Sequence, residues 1–373
     1  MKLLMIMGVL ISACSQGQDL RWSTPFSLPA QENGAAHPGV AGPMTGVIGD
    51  RLVIAGGANF PEKMPWEGGR KEYSRQAYVY RISDGVFRLV HRQVLETAVS
   101  YAGSCTADGA LYVAGGENSR GPVSSVMRIS WQGDSLVTET LPSLPLALTN
   151  GSLVCASEKL YFTGGENRDR VSDKIYEFDL SGTRQWREAY RLPYPVTNAV
   201  VVSDGRDKIY LAGGRKRNEN GISTFYDQLL EVDRASGDVR SIATLPAPAA
   251  AGTGVWDPAG SILLFGGDTG ETFHRVEELL AEIAQTRDPA RKKELDDRKA
   301  EVQRSHPGFS PACHKYDLKK KKWFPLAPIS GASPVTTTAL TYGDLIIIPS
   351  GEIRAGVRTD QVLVAKKENK HEK

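Results

Sequence analysis

An all-β fold, a closed six-bladed β-propeller, is predicted for this 373-residue chain by three observations. An apolar strand ending in paired small residues recurs six times along the sequence. A second strand-like run, rich in aromatic and β-branched residues, follows most copies, and a Leu-Pro or Ala-Pro exit closes several of them. Finally, the 38 Gly and 21 Pro are well spread, as many turns require and low complexity does not.

The copies are Leu52-Val-Ile-Ala-Gly-Gly57, Leu111-Tyr-Val-Ala-Gly-Gly116, Leu160-Tyr-Phe-Thr-Gly-Gly165, Ile209-Tyr-Leu-Ala-Gly-Gly214, Ile262-Leu-Leu-Phe-Gly-Gly267 and a degenerate Ile346-Ile-Ile-Pro-Ser-Gly351. Spacings near 50 residues are those of kelch-type propeller blades, each of four antiparallel strands, a to d. Small residues in the leading strands, such as Gly103-Ser-Cys105 and Gly151-Ser-Leu-Val-Cys155, suit a crowded centre.

Taken from the N-terminus, Met1-Lys2 precedes the apolar run Leu3 to Ile11, which is too short to span a bilayer and fits an export signal over residues 1–13. Ile11-Ser12-Ala13-Cys14 resembles a bacterial lipobox, with Cys14 as the lipidated residue. The expected location is therefore the periplasm or the outer membrane, with membrane contact only through that lipid. Residues 14–366 form the propeller. Arg21-Trp22 to Leu28-Pro29 reads as an outer strand, and the sixth blade lacks one: after Gln361-Val-Leu-Val-Ala365 only the polar tail 367–373 remains. The N-terminal strand is thus expected to complete the C-terminal blade and leave no free edge in the ring. Blade 5 carries a charged insertion, about 271–305, with Phe273, Val276, Leu279, Leu280 and Ile283 at helical spacing and a break at Asp288-Pro289. It is either a solvated excursion or a lid.

Composition excludes several functions. The formal net charge of +2 gives no electrostatic footprint for nucleic acid. Cys105, Cys155 and Cys313 read as buried thiols, and the six His make no ligand-spaced cluster, so neither a metal nor another cofactor is expected. There is no Asp-box repeat of a sialidase and no Tyr/His copper set. Self-association into a homodimer is left open by the sequence.

In a four-strand meander the b–c and d–a loops emerge on one face, so the residues after each small pair ring the central mouth. They are Asn59, Glu117-Asn118, Glu166-Asn167, Arg215, Asp268 and Glu352, with Thr149-Asn150 and Thr197-Asn198 from the d–a loops. Such a ring suits a polyhydroxylated, anionic small molecule. Glu352 and Arg358 are six residues apart, a proton-transfer carboxylate beside a guanidinium able to hold an anion.

At these residues the chain resembles the bacterial N-acetylneuraminate epimerases (sialic acid mutarotases), periplasmic six-bladed kelch propellers. Ser350-Gly-Glu-Ile-Arg-Ala-Gly-Val-Arg-Thr-Asp360 is similar to the family's Asn-Gly-Glu-Ala-Lys-Pro-Gly-Leu-Arg-Thr-Asp segment; among its departures Ser350 stands for Asn and Arg354 for Lys, with Glu352 and Arg358 intact. The loop running from Ala55-Gly-Gly-Ala-Asn59 through Trp66-Glu-Gly-Gly-Arg70 precedes that segment here and follows it in the family, so the resemblance is to a cyclically permuted branch. The resemblance implies a catalytic Glu352, a substrate-binding Arg358, a sugar-acid substrate and an isomerase needing no cofactor. Arg215, Glu117, Glu166 and Asn59 are further candidates for substrate contacts. The other reading is a kelch module that binds a glycan or protein without catalysis.

Overall fold

Alternation of small, apolar and aromatic residues in each repeat builds four antiparallel strands, and the computed structural model, which describes residues 19–368, sets six such sheets around an axis. Blade 1 runs Met44–Ile48, Arg51–Ala55, Gln76–Ser83 and Val86–Val94. Blades 2 to 5 repeat this order with inner strands Gly103–Ala107, Ser152–Ala156, Val200–Ser203 and Thr253–Asp257. Blade 6 takes Leu340–Tyr342, Leu345–Pro349 and Gln361–Glu368 from the C-terminal end and Asp19–Ser27 from the N-terminal end.

That last pairing closes the ring. Leu20 lies opposite Lys367 and Ser27 opposite Gln361, with an irregularity between Ser23 and Phe26. The C-terminal strand runs three residues past the apolar segment ending at Ala365, because Arg21 and Leu20 supply partners for Lys366 and Lys367. The signal segment and Cys14 lie outside the described residues.

Blades adhere through apolar clusters at each interface, such as Ile48, Val53, Leu111 and Ile129 between blades 1 and 2. Between blades 6 and 1 the corresponding cluster includes Leu28, Ile54, Ile347 and Val362. Outer-strand tryptophans add a repeated stitch. Trp186, Trp323 and Trp22 each donate an indole N–H to a carbonyl of the preceding blade's exit, at Pro142 (2.9 Å), Thr244 (2.8 Å) and Ala327 (3.1 Å). These indoles are half-buried, and each finds an acceptor for its N–H on the neighbouring blade.

At the pocket end, six d–a residues with left-handed backbone form a closed hydrogen-bonded circle. Tyr101 N–H donates to Gly42, Asn150 to Tyr101, Asn198 to Asn150, Ala251 to Asn198, Thr336 to Ala251 and Gly42 to Thr336, at 2.6–3.0 Å. The paired glycines make room for the loops. In blade 4 a Cβ on Gly213 (φ +62°) would sit 2.2 Å from the Ala249 carbonyl, which instead accepts the Gly214 N–H at 2.8 Å. Below the circle the axial channel narrows to about 100 Å³ between Gly103, Ser104, Gly151 and Ser152.

The insertion is two helices, α1 (Glu271–Gln285) and α2 (Pro289–Arg304), the second capped by Asp288, whose side chain accepts the Ala290 N–H at 2.9 Å. Leu279 is buried as the stripe predicts, whereas Leu280 is exposed. Glu277 clamps α1 to the blade 4 loop by accepting both the N–H (2.8 Å) and hydroxyl (2.6 Å) of Ser223. Helix α2 reaches the short helix Pro65–Glu67 of the blade 1 loop. The insertion is thus a wall of the pocket, carrying Phe273 and Val276 into it.

Candidate active site

The residue after each small pair is bridged to a d–a loop in all six blades: Ala58 with Ala41, Glu117 with Ser100, Glu166 with Thr149, Arg215 with Thr197, Asp268 with Ala250 and Glu352 with Val335. These rungs surround a cavity of about 430 Å³ above the channel, inside the usual range for small-ligand sites. Glu117, Arg215, Asp268, Glu352 and Arg358 line it.

Glu352 and Arg358 meet because their segment is a tight hairpin. Glu352–Arg354 pairs with Val357–Arg358, and Glu352 stands directly across from Arg358. The turn uses Gly356 (φ +74°), whose N–H donates to Glu352 Oε1 at 2.7 Å. Glu352 Oε2 lies 3.4 Å from Arg358 Nη2. Burial pushes the Glu352 carboxyl above its ordinary range, with a further upward push from Asp268, while Arg358, the Gly356 amide and Lys71 pull it down.

The Arg358 side chain is only 3% exposed, yet its Nε and Nη1 have no hydrogen-bond partner. Its guanidinium stacks over Phe60 at 4.8 Å, and Tyr101 lines the same pocket. A buried cation with unfilled donors at a cavity wall is a site for an anionic oxygen.

The remaining candidates are more occupied. Glu117 faces the cavity but accepts from Lys71 (2.9 Å) and Tyr73 (2.8 Å). Burial opposes the Lys71 charge, but Tyr101 and Glu117 beside it outweigh that, and its pKa lies above the usual value. Glu166 is buried outside the cavity lining and accepts from Arg215 (2.7 Å) and Asn150 (3.2 Å), so it orients Arg215, whose guanidinium rests on Phe273 at 5.1 Å. Asn59 is displaced from the role expected of it. Blade 1 places Ala58 on the rung, and the Asn59 side chain turns away to donate to the Pro38 and Gly39 carbonyls.

Sequence reasoning missed Lys71, Tyr101, Phe60 and His306, all in the lining. Tyr101 had a signal, since it occupies in the blade 1–2 loop the place of Asn150 and Asn198 in later ones. Lys71 and Phe60 sit in a long loop, and His306 follows α2, where no repeat register exists.

Comparison with known proteins agrees with this architecture. Residues 10–138 and 141–373 match the family model described as N-acetylneuraminate epimerase. The N-acetylneuraminate epimerase of Yersinia enterocolitica is 31% identical over 131 residues, 34% of this chain and 33% of that protein. That of Vibrio cholerae is 29% identical over 130 residues, 32% and 33% of the two chains. The chain therefore aligns with about a third of the length of these relatives. A structure titled "Structure of YjhT" superposes with a TM-score of 0.61 at 18% identity, covering 90% of this chain and 96% of that one, which is a likeness of fold.

Proposed function

The chain belongs to the N-acetylneuraminate epimerase family, and from that premise we propose that it is a mutarotase, interconverting the anomers of N-acetylneuraminate by opening and reclosing the sugar ring. The observation that carries this reading is the Glu352–Arg358 hairpin, a half-buried carboxylate with a raised pKa opposite a buried guanidinium with free donors.

Mutarotation needs a proton removed from the anomeric hydroxyl and one delivered to the ring oxygen. The ring C–O bond then breaks, the carbonyl turns, and reclosure on its other face yields the second anomer with both protons returned. Glu352 is the proton-transfer group, since burial raises its carboxyl above the ordinary glutamate range, the direction that favours proton exchange near neutral pH. Arg358 holds the sugar carboxylate, which fixes the anomeric carbon beside Glu352. We place the reaction outside the cytoplasm on a Cys14 lipid anchor; Cys14→Ser should then release the protein from the membrane fraction and abolish incorporation of labelled fatty acid.

The test is saturation-transfer NMR of anomer exchange with N-acetylneuraminate, galactose and glucose. Acceleration for N-acetylneuraminate is expected. Binding without acceleration of any sugar would instead favour a non-catalytic glycan-binding propeller.

A further inference from the structure

Ring opening acts on two oxygens of one carbon, and an ionised carboxylate that takes the proton of one has none to give the other. Four carboxylates occupy the rungs around the mouth, and three have evident employment. Glu117 is held by Lys71 and Tyr73, Glu166 by Arg215 and Asn150, and Glu352 faces Arg358.

The fourth is Asp268 of blade 5. Its rung with Ala250 is the neighbour of the Glu352 rung with Val335, and the Thr336 N–H donates to Ala251 at 2.9 Å to tie the two together. The propeller thereby sets the two residues on adjacent rungs lining one pocket, while blade 1, on the far side of Glu352, offers only Ala58. The Asp268 side chain accepts one hydrogen bond, from the Gly270 N–H to Oδ1 at 2.8 Å, and forms no ion pair among the described residues.

We propose that Asp268 is the second catalytic residue of this pocket, the acid that protonates the ring oxygen while Glu352 takes the anomeric hydroxyl proton. The proposal rests on the mutarotase reading above. In the forward step the Glu352 carboxylate accepts the hydroxyl proton, the anomeric C–O(H) bond becomes a carbonyl, the ring C–O bond breaks, and its electron pair takes the Asp268 proton. On reclosure the new hydroxyl returns its proton to Asp268 and attacks the other carbonyl face, and Glu352 protonates the former carbonyl oxygen. Nothing is consumed.

The surroundings divide the roles in this sense. Glu352 has Arg358 and the Gly356 amide to favour its ionised form. Asp268 is pushed upward by burial, with the Gly270 amide, His306, His274 and Arg215 opposing more weakly. His306 is kept neutral by burial and accepts the Gly308 N–H on Nδ1 at 3.0 Å, so its remaining proton sits on Nε2. Burial raises both carboxyls, and only Glu352 has a guanidinium within ion-pair distance to draw it back toward the ionised form.

The experiment measures anomer exchange of N-acetylneuraminate against pH for the wild-type chain, E352Q, D268N and D268E. The expected result for D268N is a kcat loss of about 10²-fold or more with little change in KM, and loss of the alkaline limb of kcat/KM. E352Q should lose the acid limb instead. D268E, which can still donate a proton, should regain part of the rate with its alkaline limb present; it decides the matter should D268N not fold. Wild-type kcat in D268N, or an unshifted alkaline limb in a variant lacking the Asp268 carboxyl, overturns the assignment while leaving the mutarotase reading standing. No acceleration by the wild-type chain overturns both.

Discussion

Glu166 of blade 3 and Glu352 of blade 6 occupy the same rung of the propeller, bridged to Thr149 and Val335 in the same way. Around Glu166 the next blade supplies Arg215 at 2.7 Å, and Asn150 adds a second donor at 3.2 Å. Around Glu352 the next blade supplies Ala58, and the nearest cation is 3.4 Å away with two of its nitrogens still unpartnered. Fold symmetry repeats the place of a side chain and leaves its chemistry to the neighbouring blade. One glutamate is spent on structure; the other is available to a ligand.

The strongest way to break this contrast is to neutralise each glutamate. E352Q should slow N-acetylneuraminate exchange by about 10²–10⁴-fold, the usual worth of one acid/base group, with its thermal midpoint nearly unchanged. R358M comes next: loss of a charged hydrogen-bonding group of about 1.5–3 kcal/mol should raise KM roughly 10–100-fold. E166Q should show the opposite signature. It leaves Arg215 without its counter-charge, and because both side chains keep slight exposure (11% and 15%), about 1–3 kcal/mol of unfolding free energy is expected to be lost, read as a lower urea midpoint. Lost exchange in E166Q with stability intact would erase the distinction between the two blades.

A pH titration sharpens it further. Glu352 must be ionised to accept a proton, so kcat/KM falls as pH drops through its pKa. Burial sets that pKa above the ordinary glutamate range, and activity should fade at milder acidity than a solvated carboxylate would give. Arg358 pulls the same group down, so in R358M the acid limb should move to higher pH.

Most of the fold was legible because it repeats: small pairs mark the second strands, and Trp22 with Leu28-Pro29 marks the strand that closes blade 6. Glu352 and Arg358 were legible for a local reason, since a short hairpin makes six residues of separation a cross-strand contact. Lys71 and His306 were not. Their positions depend on how a long loop and a helical insertion fold back over the mouth, and neither follows a repeat. The error at Asn59 came from register: one residue beyond the rung reverses the direction of the side chain, the same alternation that makes a strand slip costly.

Asn59 therefore gives the smallest and most discriminating prediction. Its amide donates to the Pro38 and Gly39 carbonyls and its oxygen accepts the Phe60 N–H, so it braces the loop whose Phe60 ring lies under Arg358. N59A removes backbone-directed hydrogen bonds worth about 0.5–1.5 kcal/mol each, which should appear as a modest drop in thermal midpoint. Exchange should keep its kcat, and any rise in KM should be well below that of R358M, because the Glu352 hairpin still holds the guanidinium. A KM increase equal to that of R358M, with the thermal midpoint unmoved, would put Asn59 on the substrate and move the pocket wall outward by one residue.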